Sequence, residues 1–307
     1  MIRKLISIVI PMFNEELNVQ EILARIISSV EKTKQDYEII LVDDGSSDST
    51  WLKIKIENKS NNRIKAIKML KNYGQHSAIS AGIGKAVGDW VIVMDGDLQD
   101  RPEVIPELFQ KAVEGNEIVF VSRQNRPEQK YYLILQKIYY RVLISLSGLD
   151  FDANHANYSI ISRKVVRAFC EFESQITFYP GKVKRLGFKC AEIKANHGSR
   201  FAGKPSYSFS KRIKLAANII ITSSTRPLKL VIISSFIVAI ITFTSSILAL
   251  RNLMAEVLQD VVKMILLLIL INGITLIILL SSLALYLSTH ILEKGKNNLI
   301  IIDDTIL

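Results

Sequence analysis

Three clusters of acidic and polar side chains could bind a charged substrate. They are Pro11–Glu16, Val42–Asp48 and Met94–Asp100, the last of which contains Asp95-Gly96-Asp97. Carboxylates crowded at one place repel each other unless a cation lies among them. Asp95 and Asp97 alternate across what we predict to be an extended segment, from which a metal could bridge a carboxylate and phosphate oxygens. Hard oxygen ligands of this kind favour Mg²⁺ or Mn²⁺.

Each cluster directly follows a short run of residues with high β propensity. Five such runs predict strands, at Leu5–Ile10, Tyr37–Val42, Ile64–Met69, Trp90–Met94 and Ile118–Val121. Helical patterns lie between them, which predicts a mostly parallel sheet covered on both faces, with ligands at the carboxyl ends of the strands. Any one cluster alone could consist of turn or helix-capping residues, as Asn14, Ser46 and Ser47 commonly are. Three clusters at three strand ends favour a site.

The composition excludes several classes of protein. The 307 residues carry a net charge of +10 and are 49% hydrophobic, and this hydrophobic fraction excludes a disordered chain. Cys170 and Cys190 are too few for a disulfide scaffold or a cysteine-built zinc site, and we expect both to be buried free thiols. The apolar run at the amino terminus lacks a small-residue cleavage site and predicts a strand, not a signal peptide.

Long uncharged stretches are concentrated near the carboxyl terminus. There are 21 uncharged residues between Lys229 and Arg251, and 29 residues without Lys, Arg, Asp or Glu between Lys263 and Glu293. At about 1.5 Å per residue, each is long enough to cross a hydrocarbon core of about 30 Å. Two buried core helices are the alternative, but helices of soluble proteins carry a polar stripe that these lack. We therefore predict a transmembrane hairpin at 226–292, with spans near 230–250 and 264–289.

Basic residues lie mainly on one side of this segment. Nine Lys and Arg and no Asp or Glu occur between Ile193 and Ala255, and eight of the nine precede the first predicted span. The positive-inside rule then places residues 1–225, the tail 293–307 and both termini in the cytoplasm, at the inner (plasma) membrane. A basic stretch can also bind nucleic acid, but beside a membrane span we expect anionic lipid headgroups and no nucleic acid.

Two further segments have the composition of helices at a membrane surface. Tyr131–Leu146 is apolar with Tyr, Lys and Arg interspersed, which fits either an interfacial helix or a helix packed under the sheet. Ser208–Ser223 is basic at its start and apolar afterwards, which favours a helix lying along the headgroups.

The motifs together resemble those of family 2 glycosyltransferases with the GT-A fold. They are Pro11-x-Phe13-Asn14-Glu15, Val42-Asp43-Asp44-Gly45-Ser46, Asn72-x-Gly74-Gln75, Asp95-Gly-Asp97-Leu-Gln99-Asp100 and Ser122-Arg123. Within the family, the chain is similar to polyprenyl-phosphate glycosyltransferases with two carboxyl-terminal membrane helices, a group that includes dolichol-phosphate mannose synthases and bactoprenol glucosyltransferases. The resemblance implies a Rossmann-like, mostly parallel α/β domain with a membrane hairpin. It also implies metal-dependent, inverting transfer of one sugar from a nucleotide-sugar to a polyprenyl (undecaprenyl) phosphate for cell-envelope glycosylation.

The resemblance also implies roles for individual residues. The positions matching the site for the nucleotide base and ribose are Pro11, Phe13, Glu15, Val42 and Asp44. Those matching the diphosphate and metal site are Asp95, Gly96, Asp97 and Gln99, with Arg123 over the donor phosphates. Those in the loop near the acceptor phosphate are Arg200, Lys204 and Tyr207. Asp95, Asp97, Arg123 and Arg200 are the predicted catalytic set, although Arg200 could instead only contact lipid headgroups.

One segment departs from the family pattern. Many relatives with two membrane helices read Asp-Ala-Gly-Asp-Phe where this chain has Asn154-His-Ala-Asn-Tyr158. Both acidic residues are absent, so no catalytic or sugar-reading role of that pair can be transferred to this chain.

An attacking phosphate oxygen is ionised near neutral pH, so polyprenyl phosphate as acceptor requires no side-chain base. A glycosyltransferase that extends a lipid-linked saccharide is the main alternative, and its hydroxyl acceptor would need a general base. A processive polysaccharide synthase typically carries Gln-x-x-Arg-Trp, yet neither Trp51 nor Trp90 follows an Arg. A non-catalytic lipid carrier would leave the acidic clusters unexplained. The sugar, the nucleotide and the formation of a homo-oligomer remain open.

Overall fold

The structure is a computed structural model that describes residues 3–124, 141–142, 144–146, 155–172, 178–196, 198, 220, 226–253, 258–296 and 302–306. The chain divides into two compact units. The first comprises Met1–Ile144, Leu149–Ile213 and Asn298–Leu307, and the second comprises Ser145–Gly148 and Lys214–Asn297.

The first unit alternates strands and helices over most of its length. Its strands are β1 Leu5–Met12, β2 Asp36–Asp43, β3 Ile64–Met69, β4 Trp90–Val93, β5 Ile118–Gln124, β6 His155–Ser162, β7 Cys190–Asn196 and β8 Ile302–Ile306. Its helices are α1 Val19–Val30, α2 Thr50–Ser60, α3 Gln75–Lys85, α4 Ile105–Val113, α5 Arg163–Glu171 and α6 Tyr179–Arg185, with short 3-10 helices at Glu31–Thr33 and Pro102–Val104. The five strands predicted from the sequence are confirmed, with ends that differ by up to three residues.

The eight strands form one sheet in the order β7-β5-β6-β4-β1-β2-β3-β8. The pairs β1–β2, β1–β4, β2–β3 and β5–β7 are parallel, whereas β6 runs antiparallel to β4 and β5, and β8 runs antiparallel to β3. The predicted, mostly parallel α/β sheet is therefore confirmed. Because β4, β1 and β2 are parallel neighbours, the loops that follow them meet at the same edge of the sheet.

The core lies on both faces of this sheet, as the continuous β-branched runs indicate. On one face, Ile8 of β1 packs in a cluster with Ile22 of α1, and on the other, Val9 packs with Ile79 of α3. Gly82 allows α3 to approach β1 closely, since a Cβ there would lie 2.3 Å from Val9 Cγ1. This packing fixes the start of α3 beside the carboxyl ends of the strands.

The second unit contains two long apolar helices, α7 Arg226–Leu253 and α8 Leu258–Lys296. Among the described residues, one stretch is long and apolar enough to cross a membrane, Val262–Leu287 of α8, with 26 residues. The corresponding apolar stretch of α7, Lys229–Ser245, is shorter. Thr242 Oγ1 donates to Asn272 Oδ1 at 3.0 Å and links the two helices. The two-span hairpin is thus only partly supported.

The chain returns to the first unit after α8. Residues 302–306, which we predicted only as part of a tail, form β8 at the edge of the sheet beside β3. Lys68 of β3 forms an ion pair with Asp303 of β8, with Nζ 2.9 Å from Oδ2. The apolar run before Asp303 was the only local signal of this strand.

The prediction of buried cysteines is wrong. Cys170 and Cys190 are free thiols, as expected, but both are exposed. Cys170 lies on α5 beside residues that face the solvent, and Cys190 begins β7 at the edge of the sheet. Most of Tyr131–Leu146 and of Ser208–Ser223, the two predicted surface segments, lies outside the described residues.

Candidate functional site

The loops after β1 and β2 are joined by hydrogen bonds between their polar side chains and backbones. The Asn14 N–H donates to Ser46 Oγ at 2.9 Å, and the Ser47 N–H donates to Asn14 Oδ1 at 2.9 Å. Asn14 adopts a left-handed conformation with φ of 54°, which asparagine tolerates better than most residues. These residues are therefore both turn formers and the link between the first two clusters.

Asp44 ties the second cluster to the loop after β3. Its side chain is buried, Oδ1 accepts from the Tyr73 N–H at 2.7 Å, and Oδ2 accepts from the Gly74 N–H at 2.9 Å. Burial raises the pKa of Asp44 to about 6, although the two N–H donors act in the opposite direction. The loop with the Val42–Ser46 motif and the loop with the Asn72–Gln75 motif are thus held together by hydrogen bonds.

Glycine is required at position 45 for this junction. Gly45 has φ of 68°, and a Cβ there would lie 2.5 Å from the carbonyl carbon of Lys71. The backbone of the second cluster therefore passes against the chain after β3 with no room for a side chain.

The isosteric change Asp44→Asn is expected to lower the free energy of unfolding by about 1–3 kcal/mol. An amide offers one acceptor oxygen, whereas Tyr73 and Gly74 each present an N–H to this side chain. Chemical denaturation of the two proteins measures the difference. The pKa of Asp44 is about 6 in the folded state and about 3.8 otherwise, so between these pH values the folded protein binds this proton more tightly than the unfolded chain does. The contribution of Asp44 to the free energy of unfolding of the wild-type protein therefore falls as the pH rises from about 3.8 to about 6.

The variant has no titrating group at position 44, so its disadvantage should be larger near pH 4 than above pH 6. A stability difference between the two proteins that grows with pH would contradict the assigned environment of Asp44.

The remaining residues predicted for the nucleotide lie around the same loops. Pro11 and Val42 are partners in the β1–β2 register, and the Val42 side chain is fully buried. Phe13 is 37% exposed just beyond β1. The Glu15 N–H donates to Thr50 Oγ1 at 2.9 Å, and its carboxylate accepts from Asn18 Nδ2. Phe13 is thus the most accessible of these side chains.

Asp43 was not predicted as a site residue, yet its carboxylate lies fully buried next to Asp44. Oδ1 accepts from the Ser46 N–H at 3.2 Å, and among the described residues no donor contacts Oδ2. Burial raises the pKa of Asp43 above its ordinary value. The sequence did not indicate that Asp43 is the more deeply buried of the two, because two adjacent aspartates at the end of a strand look alike in the sequence.

The segment Asp95-Gly96-Asp97 is a turn, and the prediction that it is extended is wrong. β4 ends at Val93, and Leu98 has φ of 64°. A Cβ on Gly96 would lie 2.4 Å from Met12 Sδ, so the turn lies against the end of β1. The chain bends here because Asp97 Oδ1 accepts from the Gln99 N–H at 3.1 Å, an arrangement that favours turns.

Asp95 is held by two side-chain amides from different parts of the fold. Gln75 Nε2 donates to Asp95 Oδ1 at 2.7 Å, and Asn157 Nδ2 donates to the same oxygen at 3.0 Å. The Asp95 N–H also donates to Asp100 Oδ2 at 3.3 Å. The third cluster is therefore connected both to α3 and to β6, and the contact with Asn157 was not predicted.

The described residues contain no group of three or more His, Cys, Asp or Glu that could hold a metal ion. A metal at Asp95 and Asp97 would therefore receive no more than two carboxylates from this part of the chain. The backbone carbonyl of Gln99, the third predicted metal ligand, accepts from the Gly198 N–H at 2.9 Å.

The structure describes only the backbone of Arg123 among the predicted phosphate-binding residues that follow Asp100. Arg123 lies on β5 opposite Ala195 of β7, and its side chain is outside the described part. Arg200, Lys204 and Tyr207 also lie outside the described residues. The contact between Gly198 and Gln99 nonetheless brings the chain, two residues before Arg200, next to the Asp95–Asp97 turn.

Comparison with known proteins identifies relatives of this chain. The model of glycosyl transferase family 2 matches residues 7–169. Undecaprenyl-phosphate 4-deoxy-4-formamido-L-arabinose transferase of Proteus mirabilis (strain HI4320) is 34% identical over 244 residues, or 79% of this chain and 75% of that protein. The protein of the same name from Photorhabdus laumondii subsp. laumondii is 34% identical over 246 residues, or 80% of this chain and 76% of that protein.

Two solved structures have the same fold. Glucosyl-3-phosphoglycerate synthase from Mycobacterium tuberculosis, crystallised with Mn²⁺, UDP and phosphoglyceric acid, has a TM-score of 0.54 and 18% identity over 73% of this chain and 78% of that chain. Mannosyltransferase PcManGT from Pyrobaculum calidifontis, crystallised with GDP-Man and Mn²⁺, has a TM-score of 0.50 and 15% identity over 72% of this chain and 63% of that chain.

Proposed function

Because the chain belongs to glycosyl transferase family 2 and is a glycosyltransferase with the GT-A fold, we propose that it transfers one sugar from a nucleotide-sugar to undecaprenyl phosphate. The observation that most supports this is the meeting of the three polar loops at one edge of the sheet, where Asp95 and Asp97 share a turn next to the chain that leads to Arg200. Two relatives that are 34% identical are named undecaprenyl-phosphate transferases.

The nucleotide of the donor is proposed to lie on the loops after β1 and β2. The exposed ring of Phe13 offers an apolar surface for a base, and the buried loops around Asp44 and Glu15 supply fixed polar groups. Stacking on an aromatic ring suits any base, so these residues support a nucleotide without distinguishing uridine from guanosine. Solved relatives of the same fold bind UDP or GDP-Man.

The residues present fit a divalent cation at Asp95 and Asp97. Mg²⁺ and Mn²⁺ are commonly held by one or two carboxylates together with phosphate oxygens and water, and the described acidic residues offer no larger cage. When bound, the cation would offset the negative charge that develops on the leaving diphosphate. Arg123 would act on the same phosphates from β5.

The sugar transfer itself needs few groups from the protein. An ionised oxygen of the acceptor phosphate forms a bond to the anomeric carbon, and the bond from that carbon to the nucleoside diphosphate breaks with its electron pair. No proton moves, so no side-chain base is needed, and a single displacement inverts the configuration. The protein contributes by holding the two anionic reactants in line and by stabilising the charge of the leaving group.

The membrane segment is proposed to be a hairpin with both ends in the cytoplasm. The chain leaves the first unit after Ile213 and returns to it at Asn298, and β8 is a strand of the same sheet. If Val262–Leu287 crosses the membrane once, a second crossing is needed between residues 214 and 261 to bring the chain back to the same side. The need for an even number of crossings supports α7 as the other span. The basic residues before α7 support anchoring at anionic headgroups.

Topology reporters should detect an even number of crossings. Fusions at the amino terminus and after Leu307 are expected to report the cytoplasm, and a reporter near Glu256, between α7 and α8, is expected to report the opposite side. Cysteine labelling of intact and permeabilised cells provides the measurement. A cytoplasmic signal near Glu256 would mean that the helices lie on the membrane without spanning it.

The activity is tested with the full-length protein in vesicles that contain undecaprenyl phosphate. A panel of UDP-sugars and GDP-sugars, each radiolabelled in the sugar, is supplied with Mg²⁺ or Mn²⁺. One or a few donors are expected to label the lipid fraction, in a product that mild acid releases as the free sugar. Absence of lipid labelling with the whole panel, while labelled sugar passes to another acceptor, would contradict the proposal.

A further inference from the structure

Asn157 of β6 lies beside Asp95, which follows the end of β4. β4 and β6 are antiparallel, with Ile92 opposite Ile160 and Val93 opposite Ser159. Asp95 lies two residues beyond Val93, and Asn157 lies two residues before Ser159 on the neighbouring strand, so the two side chains are near each other. The hydrogen bond of 3.0 Å between Asn157 Nδ2 and Asp95 Oδ1 agrees with that placement.

A second amide reaches the same oxygen from another element. Gln75 is the first residue of α3, directly after Gly74 with φ of 94°, and its Nε2 lies 2.7 Å from Asp95 Oδ1. An ionised carboxylate only accepts hydrogen bonds, so both amides must turn their nitrogen toward it. Two donors on one oxygen restrict the rotation of the carboxylate group.

We propose that Asn157 is a positioning residue that, together with Gln75, fixes the Asp95 carboxylate before the donor and cation bind. This inference rests on the proposed function, in which Asp95 contacts the cation and the diphosphate. A carboxylate that is already oriented loses less freedom on binding, and groups that orient a metal ligand typically affect metal affinity about 10–100-fold.

The chemical identity of residue 157 matters for this role. An ionised carboxylate at this position would have no donor for Asp95 and would repel it at this distance. Asparagine has nearly the same shape but supplies an N–H. The amide of Asn157 therefore connects β6 to the proposed cation site through its contact with Asp95.

The test is the affinity of the full-length protein for Mn²⁺ with UDP present, measured from the electron paramagnetic resonance signal of free Mn²⁺. Asn157→Ala is expected to raise the Kd for Mn²⁺ about tenfold, Gln75→Ala to raise it severalfold, and the double variant to exceed either. Asn157→Ser, whose hydroxyl is too short to reach Asp95, is expected to match Asn157→Ala and provides a second variant if alanine impairs folding.

The matched control is Asn116→Ala, because Asn116 is an asparagine whose Nδ2 likewise donates one hydrogen bond, to the Lys111 carbonyl at 2.8 Å, away from Asp95. It should affect thermal stability but not the Kd for Mn²⁺. If Asn157→Ala and Gln75→Ala behave like this control while Asp95→Asn abolishes Mn²⁺ binding, the positioning role is wrong and the proposed function stands. If Asp95→Asn leaves Mn²⁺ binding unchanged, the metal assignment itself is wrong, and the positioning role fails with it.

Discussion

Asp97→Asn is expected to reduce sugar transfer by at least about 10³-fold while the protein remains folded. Asparagine retains an oxygen that can accept from the Gln99 N–H, so the turn after β4 should persist. What is lost is the negative charge that, in the proposed function, holds the divalent cation against the donor diphosphate. The rate of lipid labelling with the preferred nucleotide-sugar measures the effect, and Asp97→Ala should lose at least as much.

Two controls separate metal binding from damage to the fold. Asp89→Asn changes an acid that directly precedes β4, at the end away from Asp97, where Asp89 Oδ2 accepts from the Leu5 N–H at 2.9 Å, and should retain activity. Chelation by EDTA should stop the wild-type enzyme, and Mg²⁺ or Mn²⁺ should restore it. Full activity in chelator together with an active Asp97→Asn protein would contradict a metal-assisted transfer.

Arg200→Ala should reduce transfer to undecaprenyl phosphate by about 10²-fold, with binding of the nucleotide-sugar nearly unchanged. The planar guanidinium can bind two phosphate oxygens together, so Arg200→Lys should restore activity only in part. The described chain supports this placement, because Gly198 bonds to Gln99 beside the Asp95–Asp97 turn. Initial rates at varied acceptor concentration, and donor binding by calorimetry, provide the two measurements.

Lys211 lies in Ser208–Ser223, the segment predicted to lie along the headgroups, so Lys211→Ala is the matched control for a basic residue with no contact to the acceptor phosphate. If Arg200 has no role beyond membrane docking, the two variants should show the same small loss, and the loss should vary with the content of anionic lipid. Equal losses in both variants would remove Arg200 from the acceptor site.

The parts of the fold that the sequence predicted are those determined by local patterns. β1, β2 and β4 are buried on both faces, so each appears as a continuous apolar run, and the polar residues that follow each run mark its end. Gly45 is in part a local requirement, because its left-handed conformation is set within its own loop, whereas its close approach to Lys71 joins the loops after β2 and β3. Parallel pairing then brings these loops together without further information.

The parts that could not be predicted depend on contacts between distant residues. Asn157 reaches Asp95 only because β6 pairs with β4 in one register, and no pattern around Asn157 indicates that register. β8 pairs with β3 although more than 200 residues separate Lys68 from Asp303, and the chain between them includes the apolar helices. The segment Asp95–Asp97 was wrongly predicted to be extended because its bend depends on the Asp97 side chain accepting from the Gln99 N–H.

The central claim is that the acceptor is the phosphate of a polyprenyl monophosphate. It is tested most directly by offering the enzyme undecaprenyl phosphate and a lipid-linked saccharide in the same vesicles, with one labelled nucleotide-sugar, and identifying the labelled lipid by mass spectrometry. The proposed function predicts a single product, undecaprenyl phosphate with one sugar joined through a phosphodiester in inverted configuration. Label found only on the saccharide, with none on the monophosphate, would contradict it and would identify the enzyme as one that extends a lipid-linked saccharide at a sugar hydroxyl.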